Sequence, residues 1–132
     1  HPIFARLMLQ DAFLRAPPKS IVQLVSTTVG MSVLNEMTKS VTESPAGDIE
    51  RIEIVLDSAN AMAQRYGVSR GNIARLLKKI EAENDFGKTG RKSWISARLV
   101  RDYHQWQARK FAHVSYAYVE ACRQYNTTSA AA

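Results

Sequence analysis

The stretch from Ser58 to Glu83 constrains this chain more than any other part of it. Two short segments with helical apolar spacing are separated only by Gly67-Val68-Ser69, which leaves room for nothing but a tight turn. Helices joined so closely must cross steeply, and the residues answer that geometry. Ala63 is small where the second helix passes the first. Gly67 sits where the chain leaves a helix and a left-handed backbone conformation costs least. Val68 fills the turn from beneath. Ser58 and Ser69 stand where a hydroxyl accepts from first-turn N–H groups and so caps each helix. The first helix turns Ala59, Met62, Ala63 and Tyr66 inward, and the second, running to about Glu83, does so with Ile73, Leu76, Leu77 and Ile80. The combination Ala63-x3-Gly67-Val68-Ser69-x3-Ile73 is more specific than any one of its members. An ordinary helical hairpin is the bland alternative.

The outward positions of the second helix follow from the inward ones. Arg70, Gly71 and Asn72 occupy its first turn, and Arg75, Lys78 and Lys79 lie on or beside its exposed face. A helix of this kind enters a major groove with its N-terminal part at the base edges. Arginine suits guanine O6/N7 and asparagine suits adenine N6/N7, so Arg70, Asn72 and Arg75 are the candidates for base reading. Ser69 and the N–H groups of the helix start suit a phosphate. Lys78 and Lys79 suit field or phosphate contacts, with a solvated helix surface as the alternative, above all for Lys79.

Charge points to the same stretch. The chain has 132 residues and a formal charge of +6, a value that solubility alone would explain. Its distribution is uneven. Residues 1–63 hold five basic and seven acidic side chains, whereas residues 64–110 hold twelve and four, a net of +8. Phosphate-backbone binding needs such a local excess.

Downstream, Phe86 and Trp94-Ile95 bracket Gly87-Lys88-Thr89-Gly90-Arg91-Lys92-Ser93. Two glycines between apolar flanks predict a hairpin, with strands near 84–87 and 92–95. Lys88, Thr89, Arg91 and Lys92 on its tip suit the backbone or narrow groove of DNA. The segment lacks Gly-x4-Gly-Lys-Ser/Thr, so it is not a nucleotide-binding phosphate loop.

The run M-A-Q-R-Y-G-V-S-R-G-N-I-A-R-L-L-K-K-I-E-A-E from Met62 to Glu83, followed by G-R-K-S-W-I from Gly90 to Ile95, resembles bacterial winged helix-turn-helix transcription regulators. It is similar above all to the reading head of the GntR family, and more loosely to MarR-type regulators. The resemblance covers about residues 58–96. It implies sequence-specific duplex DNA binding, usually as a dimer, with the second helix in the major groove and the hairpin wing beside the minor groove. It implies recognition-helix roles for Ser69, Arg70, Asn72 and Arg75, and wing roles for Arg91 or Lys92. Asn84-Asp85 stands where such proteins often carry a Gly-Leu pair.

The flanks read as helices. Ile3 to Leu14 is a short one, stopped by Pro17-Pro18. Ile21 to Met37 has one broad apolar face, interrupted by Gly30, which permits close packing against another helix. Thr42 to Gly47 is a loop. Ile52, Ile54 and Leu56 alternate as in a strand over about 51–55, while Ile49, Ile52, Val55 and Leu56 also fit a helix; the strand is preferred because a small sheet must receive the hairpin. Ser96 caps a last helix from Ala97 to about Gln124, with Leu99, Tyr103, Trp106, Lys110, His113/Val114 and Ala117/Tyr118 along one side. Lys110 breaks that seam. Residues 126–132 form a polar tail expected to fray.

Catalysis finds little support. His1, His104, His113 and Cys122 have no metal-ligand or nucleophile spacing, and Asp48, Glu50, Glu53 and Asp57 read as a solvated acidic face. No catalytic residue, metal or cofactor is expected. A lone cysteine rules out an internal disulfide, and no apolar run approaches the roughly 20 residues that span a bilayer. The expected compartment is the cytoplasm, with no membrane partner. The expected fold is mainly α with a small β-hairpin wing, a single winged helix-turn-helix domain over 1–132. Its parts are N-terminal helices in 1–40, the helix pair in 58–83, the wing in 84–96, and a C-terminal helix over 97–124. The expected function is sequence-specific binding of double-stranded DNA in transcriptional regulation, as a homodimer through the N- and C-terminal helices. A helical adaptor that uses the same scaffold for protein interaction is the competing reading, and a purely intramolecular role for the last helix competes with dimerisation.

Overall fold

Six helices and three strands follow one another in the computed structural model, which describes residues 2–11, 16–41 and 50–131. They are α1 (Pro2–Gln10), α2 (Lys19–Val25), α3 (Thr28–Thr38), β1 (Arg51–Ile54), α4 (Ala59–Tyr66), α5 (Arg70–Ala82), β2 (Phe86–Thr89), β3 (Lys92–Ser96) and α6 (Ala97–Ala131). The expected loop at 42–47 and the end of the first helix beyond Asp11 lie outside the described residues. The chain divides into two compact units, residues 18–104 and residues 1–17 with 105–132.

In the unit 18–104, the helix expected over Ile21 to Met37 is two helices. Thr27 leaves helical geometry (φ −137°, ψ 157°), and its Oγ1 accepts from the Gly30 N–H at 2.9 Å, so it caps a fresh helix. The resulting corner is tight: a side chain on Gly30 would stand 2.1 Å from the Leu24 carbonyl oxygen. Apolar periodicity runs through the corner without a break, because both helices present their buried faces to one core.

That core gathers Ile21 and Leu24 of α2, Leu34 and Met37 of α3, Met62 and Ala63 of α4, and Ile73, Leu77 and Ile80 of α5. The sheet closes it. Strand order is β1-β3-β2, antiparallel throughout, with Ile52 opposite Ile95 and Phe86 opposite Ile95 on the neighbouring strand. Ile54, Phe86 and Ile95 are buried on one face. The period of two then puts Glu53 and Trp94 on the other, where the Arg51 guanidinium lies 4.0 Å from the Trp94 ring. The strand reading of 51–55 holds. The first hairpin strand begins at Phe86 rather than at Asn84, because Asn84 takes a left-handed conformation (φ 59°) and Asp85 is turned inward.

Asp85 is wholly buried and fully engaged. Its carboxylate accepts from Ser96 Oγ at 2.6 Å and from Arg98 Nη2 at 2.9 and 3.0 Å. Ser96 Oγ in turn accepts from the Leu99 N–H at 3.0 Å and so caps α6, as expected. Those hydrogen bonds and the Asp85 charge hold the Arg98 guanidinium above the ordinary arginine range, against a smaller opposing effect of burial.

In the other unit, Ile3, Trp106 and Ala117 are buried. The Asp11 carboxylate accepts from Arg109 Nε at 3.0 Å and lies 2.9 Å from His113 Nε2. Lys110, the residue that breaks the apolar seam, sets its ammonium 5.1 Å from the Trp106 ring. Helix α6 runs past Gln124 to Ala131, so the expected frayed tail is helical through that residue. Within it, Thr127 Oγ1 donates to the Arg123 carbonyl one turn back at 2.9 Å.

Candidate nucleic-acid interface

Helices α4 and α5 and the turn between them form as the local residues require. Ser58 Oγ accepts from the Ala61 N–H at 3.1 Å, and Ser69 Oγ accepts from the Asn72 N–H at 3.2 Å. Gly67 is left-handed (φ 69°, ψ 34°), and the Val68 N–H closes the end of α4 onto the Ala63 carbonyl at 3.0 Å. Gly67→Ala is expected to cost about 1 kcal/mol, read as a lower urea midpoint at unchanged slope. Gly67→Asn should cost less, since asparagine tolerates this conformation better than alanine.

Burial of Ile73, Leu77 and Ile80 turns the opposite face of α5 outward. Ser69, Arg70, Asn72, Arg75, Lys78 and Lys79 are all exposed, as are Lys88, Thr89, Arg91 and Lys92 on the hairpin. Arg75 donates from Nη2 to Asn72 Oδ1, a bond that orients its guanidinium without neutralising it. Gly71 leaves space for this arrangement, because a side chain there would crowd Arg75 Nη1 at 3.2 Å.

Ion pairing sorts the basic stretch into two populations. Arg65 is held by Glu36 and Asp57, Lys92 by Glu53 at 3.4 Å, Arg98 by Asp85, and Arg109 by Asp11. Arg70, Arg75, Lys78, Lys79, Lys88 and Arg91 form no ion pair among the described residues. The exposed Lys92–Glu53 pair is weak and leaves Lys92 free to exchange partners.

Two concavities border these elements. One, of about 340 Å³, lies between the α2–α3 corner and α5, with Gln23, Ser26 and Thr27 on one wall and Asn72, Arg75 and Lys79 on the other. Among the described residues, no acidic side chain lines it. The other, of about 670 Å³, is bordered by Arg51, Arg98 and Arg101 but also by Glu50, Glu83 and Asp85. The α2–α3 corner is the part of this surface that local sequence patterns did not reveal. Gln23 and Ser26 lie some fifty residues before α5 and carry no charge, so neither spacing nor composition marks them.

Among the described residues, no cluster of three or more His, Cys, Asp or Glu side chains could hold a metal ion. Nor is any helix long and apolar enough to cross a membrane. Comparison with protein-family models, curated proteins and solved structures returns no match.

Proposed function

We propose that this chain binds duplex DNA in a sequence-specific manner through a winged helix-turn-helix surface, in transcriptional control. Helix α5 enters the major groove. Arg70 and Asn72 stand at the start of α5, where base edges are read. Lys88, Thr89, Arg91 and Lys92 of the hairpin lie along the backbone beside it. The observation that carries this reading is the pairing pattern: among the described residues the cations of α5, with Lys88 and Arg91 of the hairpin, are exposed and free of acidic partners, Lys92 has only an exposed pair with Glu53, and other arginines of the same stretch are neutralised internally. The function requires no catalytic group and no cofactor.

Selection from a random duplex pool tests it. A sequence motif should be enriched, and binding should weaken linearly in log affinity against log salt. A pool that enriches no motif would return the chain to the adaptor reading.

Helix α6 supports a homodimer as the binding form. Phe111, Val114, Tyr118 and Tyr125 are exposed at intervals of three, four and seven residues, the spacing of a helix-pairing seam. Residues 111–132 contain one acidic and one basic side chain, so two copies meet there without net repulsion. Light scattering should give twice the chain mass, and Tyr118→Glu should give the monomer with weaker binding to a two-half-site duplex. A wild-type monomer at working concentration would reject the dimer.

A further inference from the structure

We infer that the concavity between the α2–α3 corner and α5 seats one backbone phosphate of the bound duplex, with Arg75 and Lys79 as its charged contacts. This inference rests on the DNA-binding reading above and changes the part Arg75 plays in it. Three observations converge. First, Arg75 and Lys79 are one helical turn apart, so their side chains project from the same side of α5. Both line the cavity, and neither has an acidic partner among the described residues. Second, the facing wall offers neutral donors. Thr27 Oγ1 already accepts from the Gly30 N–H, so its own proton remains to be donated outward. Ser26 Oγ has only a long 3.4 Å bond to the Gln23 carbonyl, and the Gln23 amide also borders the space. Third, among the described residues no carboxylate lines this cavity, whereas three line the larger one. A polyanion therefore favours the smaller.

Arg75 is also held for this task. Its Nη2 is occupied by Asn72 Oδ1, which fixes the plane of the guanidinium and leaves Nε and Nη1 to donate. A phosphate oxygen between Arg75 and Lys79 accepts charge-assisted hydrogen bonds from both, and the hydroxyls of the corner complete its surround. Arg75 is then a positioning contact that fixes the register of α5 on the duplex. Base reading falls to Arg70 and to the Asn72 amide nitrogen.

Salt dependence distinguishes the two roles. Affinity for a duplex enriched by the wild-type protein, and for a scrambled duplex of the same length, is measured between 50 and 200 mM salt, roughly the range over which phosphate contacts dominate. Arg75→Ala and Lys79→Ala should each weaken binding to both duplexes by the same factor. Each should also reduce the log–log salt slope, and the double variant Arg75→Ala/Lys79→Ala should reduce it by about 0.9, the value of one neutralised phosphate. Arg75→Lys should keep the slope, and repeat selection with any of these variants should return the wild-type motif. Ser26→Ala and Gln23→Ala, which remove no charge, should weaken binding severalfold at every salt concentration with the slope unchanged. An intact slope with the double variant, or a changed base preference at one position of the motif with Arg75→Ala, would overturn the phosphate assignment while leaving the DNA-binding reading standing. A wild-type protein that binds neither duplex would overturn both.

Discussion

Arg98→Leu is expected to destabilise the unit 18–104 by about 2–3 kcal/mol, the upper part of the cost of leaving a buried polar group without its partner, since only the aspartate of this pair is buried. The Asp85 side chain is 1 % exposed, whereas that of Arg98 is 56 % exposed. Losing the arginine uncovers a carboxylate that is buried beneath it and leaves it with Ser96 Oγ as its remaining side-chain donor. Losing the aspartate instead frees an arginine that can turn to solvent. Asp85→Asn, which keeps an acceptor for Ser96 and removes the charge, should therefore cost less, about 1–2 kcal/mol. Adding Asp85→Asn to Arg98→Leu should recover part of the loss. Urea unfolding at neutral pH reads all three. Equal stability of Arg98→Leu and wild type would mean that this junction between hairpin and last helix carries no weight.

Arg70→Ala is expected to lower affinity for the enriched duplex by roughly 10–100-fold, the range of one bidentate arginine–guanine contact. Arg70 opens α5 from an exposed position, with no ion pair among the described residues, so its loss leaves packing untouched. The melting transition should be unchanged, as for most surface substitutions. Repeat selection should show relaxed preference at one base position, with the rest of the motif intact. Lys88→Ala and Arg91→Ala differ in kind, lowering affinity for all duplexes alike. Anisotropy titration at fixed salt separates the two patterns, and an Arg70→Ala variant with wild-type affinity and motif would remove Arg70 from base reading.

Much of the candidate surface was legible because it depends on short-range rules. Ser58 and Ser69 cap because a hydroxyl reaches an N–H three residues ahead, and Gly67 turns because it lacks a side chain. Once Ile73, Leu77 and Ile80 point inward, helical spacing turns Arg70, Lys78 and Lys79 outward. The corner at Thr27 was not legible, because a threonine within an apolar helical pattern reads equally as a helix residue or as a cap. Asp85 was read only as a departure from a familiar pair. Its partner Arg98 lies thirteen residues on, across a hairpin, at a distance no helical or strand period predicts.

The sequence by itself determined where the two helices of 58–83 and the last helix begin, which face of the helix pair is apolar, and that positive charge concentrates in residues 64–110. All of these are local consequences of capping, periodicity and composition. Only the tertiary structure decided which of those charges are spent internally. Ion pairs join residues far apart in the chain, such as Arg65 with Glu36 and Arg98 with Asp85, and their selection depends on packing. The same packing brought Gln23 and Ser26 beside Arg75 and Lys79, placing neutral donors from one helix corner next to cations from another helix.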